Sequence, residues 1–216
     1  GIGGALQARK PQRAFLYQKE GFALVALAWI VMTLFGALPF VINGDIPNYI
    51  DACFEIMSGF STTGASVITD ITAMSHSTLF WRSFSHWIGG MGILVFMLAI
   101  FRMEGGQAIH LLRAESPGPS VGKIVPKMRQ TAKILYLLYV ALTVADIICL
   151  LIGKLSFFEA VCTAFSTAGT GGFGVRADSY ASYSPYAQMV TAVFLVIFSI
   201  NFNSHYLLLR GRLRDS

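Results

Sequence analysis

The sequence is poor in charge. Only 12% of its 216 residues are Asp, Glu, Lys or Arg, whereas soluble domains carry about 25%. Three runs contain no charge at all, at 21–44, 83–101 and 179–209, and a fourth run at 134–153 contains only Asp146. A helix needs about 20 apolar residues to cross a bilayer. The four runs therefore predict an all-α integral membrane protein with four spans, and they exclude a soluble domain.

Cysteine is scarce as well, and the first 20 residues lack an apolar core. The three cysteines, Cys53, Cys149 and Cys162, are odd in number and lack metal-ligand spacing. We interpret them as small apolar residues. The first 20 residues are polar and basic, without an apolar core of their own, so we expect no cleavable signal peptide.

The basic residues are distributed unevenly along the chain. The net charge is +5, and 13 of the 16 basic residues flank the predicted spans on one side, namely Arg9, Lys10, Arg13, Lys19, Arg102, Arg113, Lys123, Lys127, Arg129, Lys133, Arg210, Arg212 and Arg214. By the positive-inside rule, this pattern predicts cytoplasmic termini and a cytoplasmic central loop in a cell inner membrane; it does not indicate nucleic-acid binding. The opposite side carries acidic residues suited to gathering cations, namely Asp45, Asp51, Glu55, Asp70, Glu159 and Asp178.

Two polar stretches, rich in glycine and hydroxyls, interrupt the apolar sequence. They read FSTTGASV at 60–67 and FSTAGTGGFGV at 165–175. The Phe-Glu pairs that precede them match at a spacing of 104 residues (54 to 158), whereas the ends of the two stretches match at 108 (64 to 172). The sequence therefore predicts an internal repeat whose second copy carries an insertion of four residues, about one helical turn.

Each polar stretch follows a segment that is too short to span. Apolar segments of 10 to 14 residues are often re-entrant in membrane proteins, and the two here lie at about 49–61 and 156–167. Ser156 followed by Glu159 forms a capping-box pattern, which predicts a helix start. We therefore predict two helix–re-entrant pore loop–helix repeats. The chain is divided into a cytoplasmic segment, a first repeat, a cytoplasmic connecting loop and a second repeat, at 1–19, 20–112, 113–130 and 131–216.

The composition of the polar stretches suits coordination of a cation by the backbone. Non-helical backbone at membrane depth is tolerated only where it is buried in protein or lines water. The C-terminal end of a re-entrant helix favours a cation, and rings of backbone carbonyls can replace the hydration shell of potassium. Glycine reaches a positive φ without strain, which lets carbonyls turn towards one axis. Neither stretch contains an acidic residue, so the pattern favours a monovalent cation over calcium.

At these residues the sequence resembles the membrane subunit of Trk-type potassium uptake systems, within the Trk/Ktr/HKT superfamily. The resemblance covers essentially the whole chain, and the matching stretches are EGF at 20–22, GALPF at 36–40, FSTTGAS at 60–66, WIGGMGI at 87–93, RAESPGP at 113–119, TAK at 131–133, GGF at 171–173, and Asn201 with His205. It implies potassium uptake across the membrane, without an organic cofactor, through a potassium-channel-like pore of four such repeats. The chain holds two repeats, which resemble the first two.

The resemblance also implies potassium-binding residues, which would form a selectivity filter. These are Thr62, Thr63 and Gly64 in the first repeat and Thr170, Gly171 and Gly172 in the second. The second register follows the G-x-x-V match, which we prefer; the FST-x-G match would instead put Gly169 opposite Gly64. The family further implies a homodimer bound to a cytoplasmic nucleotide-binding regulatory subunit. The missing repeats or a second copy would be needed to complete the pore.

Three glycines and Asp146 have more than one interpretation. Gly89, Gly90 and Gly92 can hinge the second span, line the vestibule or permit close helix packing, and we favour packing. Asp146 lies inside a span, where ionisable residues are costly and often functional; it could contact the ion, pair locally or lie near a water cavity.

Two histidines and one arginine are predicted to have structural roles. His86 and His205 are predicted to be hydrogen-bonded core residues rather than ligands. Arg82 is predicted to pair with Glu55 or Glu159 and so to brace a pore helix.

Two alternative functions stay open at this point. Because half of the pore is missing, the chain could be a non-conducting structural fragment or scaffold subunit of a membrane complex. An intramembrane hydrolase could use Ser58 or Ser61 with His86 or His205, although nothing fixes their spacing and the repeat would have no explanation. Ion flux in liposomes separates the transporter from the scaffold, and hydrolysis of a fluorogenic peptide reveals the enzyme.

Overall fold

The computed structural model describes residues 18–92 and 128–200. These two ranges contain six α-helices and no strand, so the all-α prediction is confirmed for the described part of the chain. The helices are α1 Gln18–Asn43, α2 Tyr49–Phe60, α3 His76–Gly90, α4 Met128–Ile152, α5 Phe157–Ala168 and α6 Pro185–Ser199. Helix α4 begins three residues before the predicted start of the second repeat.

The six helices form two copies of one arrangement. Each copy has a long helix, a short helix of 12 residues, a loop and a helix of 15 residues. The short helices α2 and α5 start at Tyr49 and Phe157, and the same offset along the chain relates their ends and their caps, Asn48 and Ser156. We call this constant separation the repeat offset. The predicted insertion of four residues is therefore wrong over the short helices, because they have the same length and one offset relates them throughout.

The match of the two Phe-Glu pairs in the sequence made Glu55 and Glu159 equivalent, but the repeat offset does not. Glu55 lies in the middle of α2 and is fully buried, whereas Glu159 lies in the first turn of α5. Glu159 completes a capping box with Ser156, as the sequence predicted. The residue that the repeat offset pairs with Glu55 is Thr163, and the two repeats therefore differ in their buried charge.

Within residues 18–92 and 128–200, helices α1 and α4 carry apolar stretches that are long enough to cross a membrane. Val25–Asn43 has a mean hydropathy of 2.3 and Lys133–Ile152 one of 2.4, and only 17% and 22% of these stretches is buried. Large apolar side chains, such as Phe35 and Leu137, are exposed along both helices. A lipid environment accounts for this exposure, since a soluble protein would bury such stretches in its core. Of the four predicted spans, the ends of the second and fourth lie outside the described residues.

Helix α3 lies between the two short helices and contacts both. A Cβ added to Gly89 would lie 2.1 Å from the carbonyl oxygen of Phe60 on α2. A Cβ added to Gly90 would lie 2.8 Å from the Cα of Gly169, at the end of α5. Only glycine permits these approaches, so the predicted packing role of Gly89 and Gly90 is confirmed. Helix α3 consequently joins the two repeats.

Candidate functional site

The first polar loop, residues 61–66, turns its amides back towards the helix that precedes it. The Thr62 amide donates to the carbonyl oxygen of Gly59 at 3.0 Å, and the Thr63 amide donates to that of Ser58 at 3.0 Å. Helix C-termini leave carbonyl groups without intrahelical partners, and the loop supplies those partners. Among the described residues, none donates a hydrogen bond to the carbonyl oxygens of Thr62, Thr63 or Gly64.

The second polar loop, residues 169–174, repeats these bonds one by one. The Thr170 amide donates to the carbonyl oxygen of Thr167 at 2.9 Å, and the Gly171 amide donates to that of Ser166 at 3.1 Å. The repeat offset relates each donor and each acceptor to its counterpart in the first loop. The two loops therefore have the same backbone hydrogen bonds at the ends of equivalent helices.

Both loops also share an unusual backbone conformation. The φ angles of Thr62 and Gly64 are 55° and 75°, and those of Thr170 and Gly172 are 53° and 83°. A left-handed conformation is a rare outlier for a β-branched residue and costs roughly 1–3 kcal/mol. Such strain gathers at functional sites. The structural repeat pairs Thr62 with Thr170 and Gly64 with Gly172, which is the register of the G-x-x-V match.

The two loops lie against each other. A Cβ on Gly64 would lie 2.0 Å from the carbonyl oxygen of Gly171, so the backbones of the two repeats meet at this point. At Gly172, by contrast, no described atom outside its chain neighbours lies within 4 Å of the Cβ position. Gly169 has a φ of −77° and caps α5, so it does not share the conformation of Gly64. Four of the six predicted residues, Thr62, Thr170, Gly64 and Gly172, are thus matched in pairs by their backbone.

Behind the second loop, Phe173 packs on one face of α3. Arg82 and His86 are four residues apart and therefore share a helix face. The guanidinium carbon of Arg82 lies 3.8 Å from the centre of the Phe173 ring, and the His86 ring stacks on the same ring at 4.0 Å between centres. Phe173 is almost fully buried by these contacts, which hold the second loop on a helix of the first repeat.

His86 is a buried core residue with a hydrogen bond, as predicted. Its Nδ1 lies 3.2 Å from the Ser166 hydroxyl, and that hydroxyl donates its proton to the carbonyl oxygen of Phe173 at 2.6 Å. Nδ1 is therefore the donor in the first bond. The pairs required for a hydrolase do not form among the described residues, because His86 bonds to Ser166 rather than to Ser58 or Ser61. His205 lies outside the described residues.

The Arg82 side chain forms an ion pair with Glu55, which is one of its two predicted partners. Nε of Arg82 lies 2.5 Å from Oε1 of Glu55, and both side chains are buried. Glu159 pairs instead with Arg176, at 2.6 Å, and this second pair is partly exposed. The predicted bracing contact is confirmed for Glu55, and the pairing with Glu159 is excluded.

Asp146 lies in the C-terminal half of α4. It is fully buried, and neither carboxylate oxygen has a hydrogen-bond partner among the described residues. No described contact joins it to the backbone of the candidate filter residues. A contact with the transported ion therefore stays without support.

The sequence alone did not reveal three parts of this site. The positive φ angles of Thr62 and Thr170 have no compositional signal, because threonine rarely adopts them. The burial of Phe173 against α3 joins positions far apart in the chain. The bond from Ser66 to Glu55, at 2.9 Å, could have been suspected only from the presence of an acid in an apolar segment.

Comparisons with known proteins point to one family. A family described as "TrkH: Cation transport protein" matches residues 2–212 of the chain. The Trk system potassium uptake protein TrkH of Salmonella typhimurium is 40% identical over 205 residues, which cover 93% of this chain and 42% of that protein. The Trk system potassium uptake protein TrkG of Escherichia coli is 31% identical over 210 residues, which cover 96% of this chain and 43% of that protein.

A solved structure gives the same result for the fold. The crystal structure of the potassium transporter TrkH from Vibrio parahaemolyticus matches with a TM-score of 0.77 and 33% sequence identity. The match covers 97% of this chain and 42% of that one. The chain therefore spans less than half the length of the relatives that it matches.

Proposed function

The chain belongs to the TrkH family of cation transport proteins, and from this premise we propose that it forms part of a potassium uptake pore. Like the members of this family, it is a component of a membrane transporter and not an enzyme. The proposed filter consists of the two polar loops, with Thr62, Thr63 and Gly64 in the first and Thr170, Gly171 and Gly172 in the second. The relatives named as potassium uptake proteins support potassium as the transported ion.

One observation carries the proposal: the matched left-handed residues at the ends of α2 and α5. Alternation of right- and left-handed residues gathers successive amides on one side of a chain. Here those amides bond to the helix end, which leaves the carbonyl oxygens of the loop for another partner. Preorganised carbonyl dipoles can replace the water around a potassium ion. The strain at Thr62 and Thr170 has a function in this arrangement, because it keeps the carbonyls turned away from the helix.

The remaining features of the proposal concern assembly. Two loops surround only part of an axis, so the filter needs the other repeats of a full-length transporter or a second copy of this chain. We place the pore in a cell inner membrane with both termini and the central loop in the cytoplasm, following the distribution of basic residues. A homodimer with a cytoplasmic nucleotide-binding subunit completes the proposed assembly.

Two glycine substitutions test the filter with a matched control. Gly172 and Gly44 have nearly the same φ, 83° and 82°, and apart from their chain neighbours no described residue has an atom within 4 Å of either Cβ position. Gly172→Ala and Gly44→Ala therefore introduce the same backbone strain, one in the proposed filter and one after α1. Both variants are made in the full-length transporter that contains this chain, and potassium and sodium fluxes are measured in liposomes.

We expect only Gly172→Ala to lower the ratio of potassium to sodium flux. An equal effect of the two variants would show that general strain, rather than the filter, controls the ratio. Absence of potassium flux from the folded parent protein would contradict the transport function itself and would favour the scaffold alternative.

A further inference from the structure

Resting on the proposed filter, we propose that Glu55 and Arg82 form one buried brace that sets the shape of both loops, and that Arg82 is a positioning residue for ion selectivity. Among the described residues, the printed bonds of these two side chains reach the residues that follow each proposed filter, and not the filter residues themselves. Its reach over two repeats distinguishes it from an ordinary buried ion pair.

Glu55 holds the first loop. Its carboxylate accepts hydrogen bonds from the Ser66 hydroxyl, at 2.9 Å and 3.1 Å, and from the Val67 amide, at 3.0 Å. Both donors follow closely after Gly64 in the chain. The carboxylate therefore fixes the chain immediately after the proposed filter, where an unsupported loop would have room to shift its carbonyls.

Arg82 holds the second loop while it is paired with Glu55. Its Nε donates to Glu55, and its Nη1 donates to the carbonyl oxygen of Gly174 at 3.2 Å. The repeat offset makes Gly174 the structural equivalent of Ser66. The two repeats are therefore held at equivalent positions, in one case by the carboxylate and in the other by the guanidinium that pairs with it.

The planar guanidinium accounts for the presence of arginine here. It presents several donors in a fixed fork, and it can also stack on an aromatic ring. At this site Nε donates to the Glu55 carboxylate, Nη1 donates to the carbonyl oxygen of Gly174, and the guanidinium lies over the Phe173 ring. Lysine offers a point charge on a flexible stem and cannot make these three contacts at once.

The second repeat has no equivalent pair of its own. Thr163 stands at the position of Glu55. Aligning the starts of α3 and α6 places Thr191 at the position of Arg82, and the Thr191 hydroxyl donates to the carbonyl oxygen of Ala187 in its own helix. The pair of the second repeat, Glu159 with Arg176, lies at its edge with side chains 21% and 39% exposed. Exposed ion pairs contribute little, so this pair serves as a matched control for the buried one.

The test uses neutral double variants in the full-length transporter that contains this chain. Glu55→Gln with Arg82→Gln removes both charges together, which avoids leaving one buried charge without a partner. Glu159→Gln with Arg176→Gln is the control. The thermal unfolding midpoint, the maximal potassium flux and the potassium-to-sodium flux ratio are measured for each variant and for Arg82→Lys.

We expect the flux ratio to fall about tenfold, which corresponds to about 1.4 kcal/mol, in the buried double variant and to a similar extent in Arg82→Lys. The control double variant is expected to change the ratio by less than about threefold, as exposed pairs do. Arg82→Lys keeps the positive charge, so a lowered ratio in a folded Arg82→Lys protein identifies positioning rather than charge.

Three outcomes would overturn the brace. The first is an unchanged ratio in the folded double variant while Gly172→Ala still lowers it, which would leave the filter proposal intact. The second is an equal loss in the control pair. The third is failure of both Arg82 variants to fold, which would assign the pair to stability alone. A parent protein without potassium selectivity would remove the filter proposal and the brace with it.

Discussion

At the scale of single residues, the two threonines with positive φ distinguish the site from ordinary loops. Thr62 and Thr170 adopt a conformation that glycine would adopt with less strain, and they do so at equivalent positions. A threonine retained there at a cost of roughly 1–3 kcal/mol indicates that its side chain or its rigidity is needed. The hydroxyl of Thr63, next in the chain, bonds to that of Ser61 at 2.8 Å and stiffens the same turn.

Serine substitutions at three glycines should have different effects. Gly64→Ser should lower both the unfolding midpoint and the potassium-to-sodium flux ratio of the full-length transporter, because its Cβ would collide with the carbonyl oxygen of Gly171 and its φ is 75°. Gly172→Ser should lower the potassium-to-sodium flux ratio with a smaller loss of stability, because no described atom outside its chain neighbours lies within 4 Å of its Cβ position.

Gly169→Ser completes the comparison. Its φ is negative, but its Cβ would lie 2.5 Å from the carbonyl oxygen of His86, so it should mainly lower stability. A larger loss of selectivity for Gly169→Ser than for Gly172→Ser would show that the FST-x-G match gives the functional register.

At the scale of helices, the sequence correctly predicted features within one helix, but it did not predict which residues of the two short helices are equivalent. The capping box of Ser156 and Glu159 was predictable because its two members lie within four residues. The proposed insertion was wrong because a shift of four residues is about one helical turn. When one short helix is shifted by one turn against the other, both still present the same apolar face. Identical residues such as Phe54 and Phe158 therefore could not show which positions of the two helices are equivalent. The Asn48 and Ser156 caps determine it.

The end of α1 is tied to the start of α3 through Asp45, in the loop after the span. Burial opposes ionisation of this carboxyl, but hydrogen bonds from Ser75, Thr78 and Asn43 outweigh it and hold the pKa of Asp45 below its ordinary value of 3.8. A lowered folded-state pKa stabilises the fold above the unfolded pKa, and this contribution is lost as pH falls through the folded value.

The Asp45→Asn variant tests this linkage. We expect a lower unfolding midpoint than the parent at pH 7, and a difference that shrinks as pH falls below about 4. The measurement is thermal unfolding of the full-length transporter in detergent between pH 3 and pH 7. A difference that is independent of pH would assign the effect to lost packing rather than to the charge.

Within α4, Asp146 is a buried acid with no hydrogen-bond partner in the described part of the chain. A buried carboxylate without a partner is costly, and asparagine keeps its shape without the charge. Asp146→Asn should therefore raise the unfolding midpoint or leave it unchanged, and potassium flux should persist. A loss of flux in the folded variant would instead assign a transport function to Asp146.

At the scale of the whole molecule, the family and the membrane class followed from the sequence, whereas the contact between the repeats did not. Apolar runs predict a membrane protein, stretches such as WIGGMGI and RAESPGP resemble the Trk-type family, and the family match confirms that resemblance. Phe173 packs against Arg82 and His86, which belong to the other repeat, and no local sequence pattern specifies such a contact. The position of α3 between both repeats could therefore be found only in the structure.

The chain of 216 residues alone is not expected to conduct potassium selectively. Its two loops supply carbonyls on part of an axis, so dehydration of the ion would remain unfavourable, and unsatisfied backbone groups in lipid cost several kcal/mol each. Flux measured on purified chain in liposomes, with crosslinking to count copies, checks this expectation. Selective flux from a crosslinked monomer would contradict it, whereas flux from a dimer would show that two copies complete the pore.

The position of α3 between the repeats also has a consequence for biosynthesis. Arg82 and its acceptor Gly174 are separated by 92 positions, and a ribosome adds roughly 5–20 residues per second. Arg82 is therefore made roughly 5–20 seconds before its acceptor Gly174. During that interval Arg82 has Glu55 but neither Gly174 nor Phe173. Arrival of the second repeat thus completes the contacts of Arg82, and a ribosome that stalls between the two repeats would leave a product in which Arg82 lacks the partners Gly174 and Phe173.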